Sequence, residues 1–132
     1  MKLLLAAFLA AHALIHASYL APAPPRTAGG PEWPFEMAKS WAVTGIGLDV
    51  GLVRTLGTAL VIVTVALLGA AALATLGWLV PPSWWPGLVV GGVAASVLTL
   101  ALFFHPWIVL GFAIDAALLW LVMVADWLPA ST

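Results

Sequence analysis

The chain has 132 residues, 64% of them hydrophobic and only 7% charged, with a formal net charge of −1 and a mean hydropathy of +1.17. A soluble domain carries about 25% charged residues, so this chain cannot cover a water-facing surface, and its charge offers no footprint for nucleic acid. The absence of cysteine excludes disulfides, iron–sulfur clusters, thiolate metal sites and cysteine nucleophiles. Lipid is then the solvent for much of the chain. Backbone groups in hydrocarbon must pair internally, which leaves helices or a closed barrel. A barrel would show alternating polarity, whereas long continuous apolar runs are present, so helices are expected. The expected fold is an all-α integral membrane four-helix bundle, a single transmembrane domain over residues 1–132 with a long, partly ordered first loop.

The first span covers residues 2–20. Between Leu3 and Leu20 there is no Lys, Arg, Asp or Glu, yet His12 and His16 are present. Met1-Lys2 followed by Leu3-Leu4-Leu5 resembles the start of a signal peptide; we read it as a retained anchor helix. The loop over residues 21–51 holds Arg26, Glu32, Glu36, Lys39 and Asp49. Its first half, rich in Pro and Gly, cannot be helical. Its second half, Glu32 to Val43, reads as a short interfacial helix carrying Trp33, Phe35, Met37 and Trp41, because Trp favours the membrane boundary.

The remaining spans are expected at residues 52–80, 86–104 and 106–128. Pro86 and Pro106 suit first helical turns, where a missing N–H needs no partner. The short connections make these three helices antiparallel neighbours. Tryptophans then fall into two belts, Trp78, Trp84, Trp85 and Trp127 at one face and Trp33, Trp41 and Trp107 at the other, with Trp120 left inside a span. Arg26, Lys39 and Arg54 against Lys2 place the long loop in the cytoplasm. Small residues, Gly57, Gly69, Gly77, Gly91 and Gly92 among them, allow close helix approach, and Gly69 to Ala74 reads as a packing seam.

Ionisable groups inside a span default to a functional hypothesis. His12 and His16, four apart, project from one side of a helix. With Leu20 at the boundary, the helical rise puts His16 roughly 6 Å and His12 roughly 12 Å deep. Asp115, counted from Pro106 at the same face, lies roughly 13 Å deep. His105 sits at that boundary. His12, His16, His105 and Asp115 together make a plausible four-ligand metal set. The same residue types suit a proton relay, or a quinone or haem pocket. A simple His12–Asp115 clamp between helices, worth about 0.6 kcal/mol on average, and a contact to a partner subunit remain open too. His105 alone reads as an interfacial residue before a helix-starting proline, and Asp126 beside Trp127 as a solvated helix end. Arg54 reads as snorkelling to the loop face or pairing with Asp49 or Glu36. No nucleophile motif, phosphate loop or paired-carboxylate arrangement is present, and Ser18, Ser40, Ser83 and Ser96 lack triad context.

The element His12-Ala13-Leu14-Ile15-His16 resembles one carried by small bacterial four-helix membrane proteins distantly similar to the DoxX-like proteins. Trp33-Pro34-Phe35, Phe104-His105-Pro106-Trp107 and Ile114-Asp115 extend the resemblance over the chain. It implies a multi-pass protein of the bacterial inner membrane, in a group that includes subunits of quinone-linked oxidoreductases; the redox cysteines of some relatives are absent here. The expected function is an accessory subunit of a larger membrane complex or homo-oligomer, not an enzyme on its own, with a polar site between its first and fourth helices for a transition metal, haem or quinone. The alternatives are a proton or small-solute conduit and a purely structural assembly partner.

Overall fold

In the computed structural model, residues 1–25, 28–30 and 32–125 are described, and every element among them is helical. Arg26, Asp126 and Trp127 lie outside the described residues. Helix α1 (Lys2–Ala17) runs on through a 3-10 turn, Ser18–Leu20. A short α2 (Trp41–Thr44) follows in the loop, then α3 (Val50–Leu76), α4 (Trp85–Leu102) and α5 (Val109–Met123). Four segments are long and apolar enough to cross a membrane: Lys2–Leu20, Val50–Leu76, Pro82–Leu102 and Pro106–Met123. The chain thus has the all-α, four-helix make-up of a multi-pass membrane protein.

Local chemistry sets the helix ends. The Asp49 carboxylate accepts the Leu52 N–H at 2.8 Å and so caps the first turn of α3. That helix stops at Leu76, before the apolar run itself ends, because Gly77 adopts φ 70. The amides of Gly77 and Trp78 turn back to the carbonyls of Ala74 and Leu73, a left-handed glycine cap. Pro82 and Pro106 open 3-10 turns ahead of α4 and α5, as expected for residues lacking an N–H.

Helix α3 is the centre of the bundle. Helices α1 and α4 pack against it, and α5 packs on α4. Close approach is made by Gly92, where an added Cβ would lie 2.7 Å from Leu68 Cδ2, and by Gly57, which faces the Phe103 ring and the Met37 sulfur. Ala71, Ala72 and Ala74 are buried as a packing seam requires. Gly69 is not part of it, since a Cβ there would meet nothing within 4 Å.

Two apolar cores result. Leu9, Leu68, Trp85, Val89, Val93 and Leu118 fill the end toward the α3–α4 turn. Tyr19, Met37, Ala42, Val53, Val61 and Phe103 fill the loop end. Trp78 and Trp84 are exposed at one face and Trp41 and Trp107 at the other, which fits two interfacial belts. Trp85 departs from that pattern: it is fully buried, plugging the bundle instead of sitting at the boundary.

The interfacial helix expected over Glu32 to Val43 is broken in two. Glu36 and Ser40 are extended, with ψ 102 and ψ 137, so only a 3-10 turn, Met37–Lys39, and α2 remain. Ser40 serves both neighbours. Its Oγ donates to the Leu102 carbonyl at 2.6 Å and accepts the Ala42 N–H at 3.2 Å. Trp41 Nε1 donates to the Ala101 carbonyl at 2.7 Å. The last carbonyls of a helix have no partner within it, and a bilayer core supplies none. The loop therefore supplies the donors that finish α4. Exposed ion pairs from Lys39 to Glu32 (3.3 Å) and Glu36 (3.2 Å) add little, since such pairs contribute about 0–1 kcal/mol.

Candidate functional site

Four polar side chains from three spans meet inside the bundle. His12 and His16 come from α1, Ser96 from α4 and Asp115 from α5, and their exposures are 3%, 1%, 0% and 1%. His12 Nε2 lies 3.0 Å from Asp115 Oδ1. Ser96 Oγ donates to Asp115 Oδ2 at 2.6 Å, and His16 Nε2 lies 2.8 Å from Ser96 Oγ. The two imidazoles meet edge to face, with centroids 5.0 Å apart.

Donor arithmetic orders this chain. A serine hydroxyl has one hydrogen. Spent on Asp115, it leaves Ser96 Oγ as an acceptor, so His16 donates from Nε2. An ionised Asp115 is acceptor-only, so His12 also donates from Nε2. Every donor thus points toward one carboxylate. The Nδ1 atoms of both imidazoles are buried with no partner, as is the Tyr19 hydroxyl.

Asp115 also helps to hold α5. Along Val109–Met123 only Asp115 and Leu118 are buried. Helices α1 and α5 pack mainly on α3 and α4 rather than on each other, so the His12–Asp115 bond bridges a gap that backbone packing does not close.

The cluster is one-sided. Toward the α3–α4 turn lies the apolar core of Ala6, Leu9, Leu68, Trp85 and Leu118. The buried threonines of the spans are turned back on their own helices: Thr64, Thr75 and Thr99 donate to the carbonyls of Leu60, Ala71 and Ala95 at 2.8–2.9 Å. None extends the hydrogen-bond chain to that face. Toward the loop, Tyr19 stacks on His16 with centroids 6.5 Å apart and meets Phe35 edge-on at 5.0 Å. A cavity of about 150 Å³ lies here, walled by His12, His16, Tyr19, Phe35, Leu100 and Ile114. A wider groove of about 520 Å³, reaching Arg54 and Glu36, shares Tyr19 and Phe35 with it.

Of the expected site residues, His12, His16 and Asp115 come together, with His12 and Asp115 level with each other in the bundle. His105 does not join them. Its Nδ1 accepts the Trp107 N–H at 3.2 Å, and the side chain caps the turn before α5. Among the described residues, no group of three or more His, Cys, Asp or Glu could hold a metal ion. The physical reason is that His105 is spent on its own turn, away from the two imidazoles and the acid. The four-ligand set is therefore not formed. Arg54 is exposed at the loop face. Neither suggested partner turns to it: Asp49 caps α3 and Glu36 pairs with Lys39.

Ser96 was the residue missed. Counted back from Leu102 at the loop face, it lies roughly 9 Å deep by the helical rise, between His16 and His12. The depth argument that paired His12 with Asp115 finds it when applied to the third span.

The chain matches no family model, no curated protein and no solved structure.

Proposed function

We propose that this protein is a small bacterial-membrane subunit that holds a small ligand or cofactor at a one-sided site between its first and fourth spans, and that it serves a larger complex rather than acting as an enzyme on its own. The observation that carries the reading is the set of three buried, unpartnered polar atoms, His12 Nδ1, His16 Nδ1 and Tyr19 Oη, on side chains that wall one cavity. Buried polar atoms cost free energy unless bonded, and a bound molecule is one way to satisfy them. Few convergent polar groups in an apolar pocket are the usual make-up of a ligand site. The resemblance to DoxX-like subunits accords with an accessory role.

A conduit is the less favoured alternative. Conduction needs polar groups on both sides of the midplane, and here the far half is apolar around Leu9, Leu68 and Trp85.

Native mass spectrometry of protein extracted without chelator tests the reading. A stoichiometric adduct is expected, lost in His12→Ala and His16→Ala. Protein that flies as the bare chain, with its four helices intact, would remove it.

A further inference from the structure

Resting on that reading, we infer that the cavity takes an uncharged phenol-type ring dissolved in the bilayer, its hydroxyl hydrogen bonding to an imidazole Nδ1.

Size comes first. The cavity measures about 150 Å³, and a dry apolar cavity of about that volume accepts a single benzene ring. Its walls suit such a ring, with Tyr19, Phe35 and Trp107 supplying aromatic faces and Leu100, Ile108 and Ile114 aliphatic ones. Offset and edge-to-face ring contacts add about 0.5–1.5 kcal/mol beyond burial.

The route of entry selects a membrane-dissolved molecule. Ile15 and Leu110 line the cavity, yet they are 50% and 68% exposed. They belong to α1 and α5, the two spans whose backbones do not pack closely together. The cavity therefore opens sideways between them, at the level of the spans. A ring can enter there while a tail stays in lipid.

Polar chemistry then selects the hydroxyl. With Nε2 donating toward Asp115, a singly protonated His12 or His16 keeps Nδ1 as an unpartnered lone-pair acceptor, and Tyr19 keeps an unpartnered O–H, all on side chains that line the cavity. A phenol donates to the first kind and accepts from the second. An anion would be repelled by Asp115. A cation would have to shed its hydration to reach a carboxylate only 1% exposed.

The test uses the full chain in lipid nanodiscs with isotope-labelled histidine, titrated with para-propylphenol and, separately, with para-propyltoluene. The phenol should give a saturable shift of the Nδ1 resonances while the Nε2 signals hold, and the hydrocarbon should not. Ile15→Trp, which narrows the lipid-facing mouth without touching the cluster, should lose the saturable shift with the Nε2 signals unchanged. An equal response to the hydrocarbon, or no response to either probe, overturns the inference. The two readings fail separately. A native adduct without a phenol response overturns the ligand class alone, and a phenol response without any native adduct overturns the resident ligand alone.

Discussion

Asp115→Ala puts the cluster to its hardest test. The substitution removes the acceptor of two hydrogen bonds, from His12 Nε2 at 3.0 Å and Ser96 Oγ at 2.6 Å. Hydrogen bonds between membrane spans average about 0.6 kcal/mol and reach about 1.7, so the pair accounts for roughly 1–3 kcal/mol. What stays behind costs as much. Ser96 can swing its hydroxyl to a carbonyl of its own helix, but the His12 N–H has no second acceptor in a site only 3% exposed. An orphaned buried donor costs about 1–3 kcal/mol. The expected loss is therefore about 2–6 kcal/mol, read by steric trapping or denaturant titration in mixed micelles. Asp115→Asn separates hydrogen bonding from charge. An amide offers one acceptor and one donor face, so it satisfies either His12 or Ser96 as they stand, but not both. The chain closes again when one imidazole moves its proton from Nε2 to Nδ1, or when Ser96 turns its hydroxyl to its own helix and accepts from both the amide and His16. A smaller stability loss than in the alanine variant is expected, and histidine nitrogen NMR shows which closure is taken. A loss below about 1 kcal/mol in Asp115→Ala would refute the donor assignment.

Two further outcomes follow from packing and from placement. Gly57→Ala adds a methyl against the Phe103 ring and the Met37 sulfur; overpacking of this kind costs about 1–3 kcal/mol, and amide exchange should rise at the loop end, around Phe103, ahead of the Trp85 end. His105→Ala removes an acceptor for the Trp107 N–H but no part of the buried cluster, so the His12 and His16 resonances and any native adduct should be unchanged. Loss of the adduct in His105→Ala would return His105 to the ligand set.

The spans could be read because apolar runs of this length have one use, and the His12–Asp115 meeting because helical rise converts sequence distance into depth. What escaped has physical reasons. A serine inside a span ordinarily bonds its own helix, as Thr64, Thr75 and Thr99 do with theirs; residue type alone does not mark Ser96 as an exception. Trp85 lies beside Trp84 at a boundary, and only the rotation of α4 sends one inward and the other outward. The broken loop helix follows from partners more than fifty positions away, the Leu102 and Ala101 carbonyls that draw Ser40 and Trp41. His105 reads as a ligand at the boundary until its ring is seen to serve its own backbone.

The separation of His12 from Asp115, 103 positions along the chain, also bears on biosynthesis. Helix α1 carries both imidazoles; the hydroxyl that receives His16 arrives with α4, and the acid that receives His12 only with α5. During elongation His12 must wait in hydrocarbon without its acceptor until α5 has been inserted. Docking of α5 is then the step that removes the need for any temporary companion of His12.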